Sequence, residues 1–210
     1  MPAAKRSPRP PRSDNREKDL LDAAARLFAQ RGYAATSMRD IAVAIAMLAG
    51  SAYYHFPSKE ELLVAVYEAG VEQLEHASSD AMSRESDPWL RLEALCRAHL
   101  EVVLTDSDYA RVLIRVLPDD IPSVADRLRE LRSRQDERFR AAIDALPLRP
   151  GTDRGVLRLM LLGALNWSLT WFAPEGRRSP RALAHQYVTF IKETQHEPTT
   201  AQGHRHKDRV

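Results

Sequence analysis

The sequence predicts an all-α fold of about nine helices: apolar residues recur at three- and four-residue spacing along most of the chain, and no segment alternates with period two. A third observation agrees, because a polar capping residue stands before nearly every apolar stripe. The 210 residues, 44% of them apolar, suit either one large domain or a small domain joined to a larger one. The expected division is a basic arm over residues 1 to 15, a helix-turn-helix domain over 16 to 62, a larger helical domain over 63 to 194, and a polar tail over 195 to 210.

The arm combines Lys5, Arg6, Arg9 and Arg12 with Pro2, Pro8, Pro10 and Pro11, a composition that cannot build a core. It reads either as a solvated tail or as a cationic extension toward nucleic acid. It lacks the apolar centre of a secretory signal, so the expected location is the cytoplasm. Leu20, Ala24, Leu27 and Phe28 set one face of a helix over about 16 to 31, stopped by Gly32. Ser37 and Asp40 form a capping-box pattern that opens a second, short helix. A third, about two turns long, ends at Phe56, and Ser58 with Glu61 repeats the capping-box pattern before a long helix to about residue 82. Asp87-Pro88 opens a helix to about 104, and a short one covers 108 to 117. Three more follow, over 123 to 146, 153 to 172 and 179 to 194. The apolar run at 156 to 172 is interrupted by Arg158 and Asn166 and falls short of the roughly 20 residues that span a bilayer, so no membrane partner is expected. Cys96, the single cysteine, lies at helical spacing between Leu92 and Leu100 and reads as buried packing.

The segment IAMLAGSAYYHF, residues 45 to 56, carries the chemistry. With about 100° per residue, Ala52 and Phe56 share an inner face, Gly50 and Tyr54 lie opposite, Ser51 and Tyr53 take the flanks, and His55 sits nearer the inner edge. A short helix with this outer face, following another short helix after a tight turn, reads as the recognition helix of a helix-turn-helix. Gly50 allows close approach to DNA, while Ser51, Tyr53 and Tyr54 reach phosphates or base edges. Thr36 and Ser37 at the start of the second helix, and Lys59 at the start of the fourth, are further candidate phosphate contacts. Tyr53 also reads as a packing residue, Ser51 as a neutral surface residue, and His55 as a structural histidine.

Residues 24 to 66 resemble the DNA-binding domain of the TetR family of bacterial transcriptional regulators, through LFAQRGY, TSMRDIA, GSAYYHF and FPSKEELL. Two positions depart from the family pattern: Ala46 stands where the family usually has glycine in the turn, and Leu48 where it often has a Ser or Thr cap. Ala52 also replaces a larger aliphatic residue. The resemblance implies that the remaining residues form a ligand-binding and dimerisation domain whose last two long helices pack against those of a second copy. Met160, Leu161, Leu165 and Phe172 in one helix, and Leu183, Tyr187, Phe190 and Ile191 in the next, are the expected dimer interface. Two recognition helices could then meet a palindromic operator about 34–36 Å apart, or a multiple of it.

The closing segment NWSLTWFAPEGRRSPRALAHQYVTFI resembles TetR regulators that respond to acyl-CoA thioesters. This implies a small-molecule inducer whose acyl part enters an apolar tunnel, with Asn166, Trp167 and Trp171 as candidate contacts. Arg111, Arg115, Arg134 and Arg138 are candidates for the coenzyme phosphates, since a guanidinium binds two oxygens at once. Paired tryptophans on an apolar helix are more often core or dimer residues than ligand contacts, and the arginines read equally as surface charges. An enzyme is the competing class, but the chain has no metal-ligand spacing, glycine-rich phosphate loop or Gly-x-Ser-x-Gly elbow, so no cofactor or metal is expected. His204 and His206 form only a weak metal pattern. A helical interaction module with a degenerate helix-turn-helix is the third reading.

Overall fold

A computed structural model describes residues 12–105 and 107–195. Most of the basic arm, the polar tail after Gln195, and with it the His204/His206 pattern, lie outside the described residues. Among the described residues there are nine α-helices and no strand. They are α1 (Arg12–Arg31), α2 (Met38–Ala44), α3 (Ala49–His55), α4 (Lys59–Ser83), α5 (Pro88–Leu104), α6 (Asp108–Arg115), α7 (Ala125–Asp144), α8 (Arg154–Trp171) and α9 (Pro180–Thr194). Two single-turn 3₁₀ segments, Pro118–Asp120 and Pro122–Val124, link α6 to α7, so α7 begins two residues later than its periodicity suggests.

Helix boundaries follow the capping chemistry. Ser37 accepts from the Asp40 amide while the Asp40 carboxylate accepts from the Ser37 amide, closing the capping box of α2. The second expected box closes on one side only: Ser58 Oγ accepts from the Glu61 amide, but the Glu61 carboxylate turns away to Arg127 at 2.6 Å. Asp87, Ser107, Asp153 and Ser179 cap α5, α6, α8 and α9 in the same way.

Two large apolar cores, and a small alanine contact of Ala81 on α4 with Ala94 and Ala98 on α5, hold the described helices together. The first joins α1, α2 and α3 to the near half of α4, then to α6 and the start of α7, through Phe28, Ile41, Ala52, Leu62, Tyr67, Val112 and Leu128. The second lies between α5, α7, α8 and α9, around Leu92, Leu100, Phe139, Leu161, Leu165 and Val188. The boundary expected at residues 62 and 63 therefore falls inside α4, an unbroken 25-residue helix that contributes Leu62 to Leu74 to the first core and touches the second only through the half-buried Met82. Cys96 is fully buried in the second core, where burial raises its thiol pKa. Among the described residues no helix is long and apolar enough to cross a membrane, and no group of three His, Cys, Asp or Glu could hold a metal ion.

Candidate DNA interface and ligand cavity

The turn between α2 and α3 is built from backbone hydrogen bonds: Ala46 N donates to Val43 O at 3.1 Å and Met47 N to Ala42 O at 2.9 Å. Reversing the chain this tightly puts Ala46 at φ 51, the left-handed region that an alanine occupies only at a cost. Leu48 is the N-cap of α3 and makes no side-chain cap bond, so the helix starts with an amide unsatisfied by its own cap. Packing compensates. Ala52 is fully buried and Phe56 nearly so, both within the first core.

The outer face of α3 is bare. Gly50 has no atom within 4 Å of where a Cβ would stand, Ser51 is exposed, and Tyr54 is 87% exposed. His55 is half-buried and meets the Tyr54 ring edge-on at 5.7 Å. Tyr53 lies on the flank, lining a shallow depression with Thr36, Ser37, Asp40 and Lys59. Two residues read as phosphate contacts are committed elsewhere. Thr36 is buried, and its hydroxyl donates to Gly32 O at 2.9 Å, which ties the α1–α2 loop together. Lys59 donates from Nζ to Tyr33 O and Thr36 O, both at 3.0 Å, and stands 4.0 Å from the Tyr33 ring centroid. It anchors the end of α4 to that loop. The Ser37 hydroxyl is exposed but hydrogen-bonded to Asp40 Oδ2 at 2.5 Å.

In the larger domain a cavity of about 520 Å³ opens between α4, α5, α6, α7 and α8. Its apolar wall includes Val71, Leu74, Val103, Leu113 and Leu162; its polar groups are His99, Gln135, Asp136, Arg132, Arg158 and Asn166, with Arg129 and Ser133, whose hydroxyl donates to Glu130 O, also lining it. His99 Nε2 lies 3.0 Å from Asn166 Oδ1, and burial pushes the imidazole pKa down to about 4 despite that bond, so the ring is neutral near pH 7. Arg158 Nε lies 3.0 Å from Asp136 Oδ1 in an ion pair too bent to count as a hydrogen bond. Arg132 donates to Tyr67 Oη and to Leu113 O, both at 3.0 Å, and Arg129 pairs with Asp119 and Asp126.

Of the ligand contacts expected from sequence, only Asn166 lines this cavity. Trp167 is 67% exposed and Trp171 also faces out, because α8 turns them away from the bundle. The four candidate arginines lie elsewhere. Arg134 grips Glu75 with two bonds of 3.1 and 2.6 Å, Arg138 reaches Ser79 and Glu75, and Arg111 pairs with Asp108 at 3.3 Å. Arg115 donates to Ala29 O at the end of α1. Sequence reasoning missed His99, Gln135 and Arg132 as cavity residues.

The expected dimer set also divides. Leu161, Leu165, Leu183 and Ile191 are buried within the second core of a single chain, so they cannot face a partner. Phe172 and Tyr187 are half-buried against that core, with Tyr187 Oη 3.0 Å from Ser168 Oγ. Met160 and Phe190 remain exposed, as do Val156, Trp167 and Trp171 on α8.

Residues 20–66 match the model of the family described as bacterial regulatory proteins, tetR family, and residues 85–194 match that of the tetracyclin repressor-like C-terminal domain. The chain belongs to the TetR family. Members of this family are DNA-binding regulators rather than enzymes, and α2, the turn and α3 are its helix-turn-helix. A TetR-family relative, the transcriptional repressor KstR2 of Mycobacterium tuberculosis, is 27% identical over 187 residues, covering 85% of this chain and 92% of that protein. The transcriptional activator FasR of Mycolicibacterium smegmatis is 35% identical over 100 residues, covering 48% of this chain and 46% of that protein. Among solved structures, AibR in complex with isovaleryl coenzyme A and operator DNA superposes with a TM-score of 0.72 at 26% identity, over 83% of this chain and 97% of that one.

Proposed function

We propose that this TetR-family chain is a repressor that binds a palindromic operator as a homodimer and releases it when the acyl part of a coenzyme A thioester enters the cavity. One observation carries the reading: α6 forms part of the cavity wall and is also bonded to α1 of the DNA-binding domain. Ala110, Leu113 and Ile114 line the cavity, while Tyr109 Oη on the same helix donates to Asp22 at 2.6 Å and Arg115 donates to Ala29 O at 3.0 Å. A ligand that displaces α6 therefore acts on α1, and through the shared core on α3. The shift it produces is limited by its difference in affinity between the DNA-competent and incompetent states.

Repression is favoured over activation because the KstR2 match runs nearly the full length, whereas the FasR match covers about half of this chain. The thioester reading is supported by the likeness to AibR, whose solved complex holds isovaleryl coenzyme A. A volume of about 520 Å³ suits an acyl group and leaves the nucleotide part of the coenzyme outside, near Arg129 at the rim. In this reading Gly50, Ser51, Tyr53, Tyr54 and His55 face the operator, and Met160, Trp167 and Phe190 face the second copy. Such a regulator works in the cytoplasm, with the chromosome.

The test is binding to genomic fragments at two salt concentrations, followed by a panel of acyl-CoA thioesters added to the complex. Specific binding that weakens steeply with salt is expected, as counterions return to the phosphates. Failure of every thioester to release the DNA, with release by an unrelated compound, rejects the inducer class while leaving the regulator intact.

A further inference from the structure

We infer that the ligand carries an uncharged oxygen function, a ketone or hydroxyl, on the part that enters the cavity, and that Gln135 is the residue that selects it. This rests on the reading of the cavity as the ligand site and narrows the class of ligand it takes.

Gln135 lies on α7 within a stripe that is otherwise apolar, between Leu128 and Leu131 on one side and Phe139 and Ala142 on the other. It is 7% exposed, and neither its amide nitrogen nor its amide oxygen has a hydrogen-bond partner. A methionine or leucine would fill that place without leaving a buried donor and acceptor unmet, which is a costly arrangement. The residue belongs to the cavity wall, so a ligand resting there is the nearest source of the missing partners. His99 repeats the pattern in the same wall: it is buried, its Nε2 meets Asn166, and its Nδ1 has no partner.

The charged groups around these residues have partners of their own. Arg158 faces Asp136, Arg129 faces Asp119 and Asp126, and Arg132 donates to Tyr67 and Leu113. Of the buried atoms of the wall left without a hydrogen bond, one is charged, Arg158 Nε, and Asp136 at 3.0 Å balances its charge; the others are neutral, the donor and acceptor of the Gln135 amide and His99 Nδ1. A carbonyl oxygen takes the amide donor, and a hydroxyl takes the donor while giving its proton to the amide oxygen or the imidazole. A saturated hydrocarbon meets neither need and leaves the amide as unpaired as it is in the ligand-free protein.

The experiment compares decanoyl-CoA with ketodecanoyl-CoA thioesters carrying the keto group at successive positions along the distal half of the chain. In parallel it compares nonane with the nonanones, which probe the cavity without coenzyme. Direct binding is measured for the full-length wild type, Gln135→Leu and Gln135→Met. At least one keto compound is expected to bind the wild type about tenfold tighter than its hydrocarbon, a difference of about 1.4 kcal/mol. Both variants should lose that preference, and ligand-free Gln135→Met should melt no lower than wild type. Hydrocarbons that bind as tightly as every keto isomer overturn the inference, as does a preference that survives in both variants, or a lower melting temperature for both. If the nonanones show the preference while no thioester binds, the oxygen selection stands and the coenzyme reading falls. If none of the compounds binds, the cavity is not the site of such ligands and both readings fall together.

Discussion

Replacing Ala46 with glycine should stabilise the protein and leave its affinity for the operator nearly unchanged. At φ 51 the alanine Cβ crowds its own backbone, at a cost of about 1–2 kcal/mol relative to right-handed conformations. Glycine removes that cost but gives the unfolded chain more freedom, which returns about 0.4–1 kcal/mol to the unfolded side. Ala46 is exposed, so deleting its methyl leaves no cavity. The net gain is about 0.5–1 kcal/mol, or a rise in melting temperature of roughly 1–4 °C for a chain of this size. The turn bonds to Val43 O and Ala42 O would be kept, and the recognition helix held more firmly against the first core. The strain is present before DNA arrives, so its relief lowers free and bound forms alike, and operator affinity should stay within about twofold. Thermal melting and fluorescence anisotropy with labelled operator measure the two effects. Ala44→Gly, at the exposed end of α2, is the control and should cost about 1 kcal/mol, as glycine does within a helix. A lower melting temperature for Ala46→Gly, comparable to that of the control, would show that the left-handed turn is not a source of strain.

Three further outcomes follow from the geometry. Tyr54→Ala should leave the melting temperature within a degree or two and weaken operator binding at least tenfold, since the ring is exposed on the outer face of α3; anisotropy titration decides it. Trp167→Glu puts a charge in the centre of the outward apolar surface of α8, and sedimentation should show loss of the dimer and with it of operator binding, while helicity by circular dichroism is unchanged. Because His99 has its pKa held at about 4 in the fold against an ordinary value of 6.5, the unfolded chain takes up its proton first, and up to about 3 kcal/mol of stability is lost as pH falls from 6.5 toward 4. His99→Gln should flatten that part of the stability profile in denaturant titrations at stepped pH.

Helix periodicity and capping chemistry made the order of the nine helices readable, because both are local: Ser37 with Asp40, Asp87 with Pro88, and Ser179 with Pro180 act within one turn of their own helix. The two faces of α3 followed from the same periodicity. What one helix could not reveal was its neighbours. Thr36 and Lys59 have the right chemistry for phosphate, yet the loop after α1 claims both, and only the three-dimensional path of that loop shows it. The apolar stripe of α8 has two sides, and no count of leucines distinguishes Leu161 and Leu165, turned to the chain's own core, from Met160 and Trp167, turned outward. A usable signal for the cavity was nevertheless present. Arg158 and Asn166 interrupt the apolar run of α8, and Gln135 interrupts the stripe of α7; all three line the cavity. The arginines chosen for phosphate belong to charged surfaces, where Glu75 and Asp108 hold Arg134 and Arg111.

With 25 residues and no break, α4 is about 37 Å long and has the dimensions of a lever rather than a linker. Near its middle Gly70 lies so close to α6 that an added Cβ would stand 2.9 Å from Leu113 Cδ1, at the cavity wall, and 3.2 Å from Tyr109 O, on the residue that bonds Asp22. A tilt of about 10° swings the far end of such a rod by about 6 Å, nearly two base-pair steps along DNA at 3.4 Å each. In the proposed dimer, such an angular change would be large enough to put α3 out of step with its half-site. In that reading the stiffness of one helix sets the gain of the whole device.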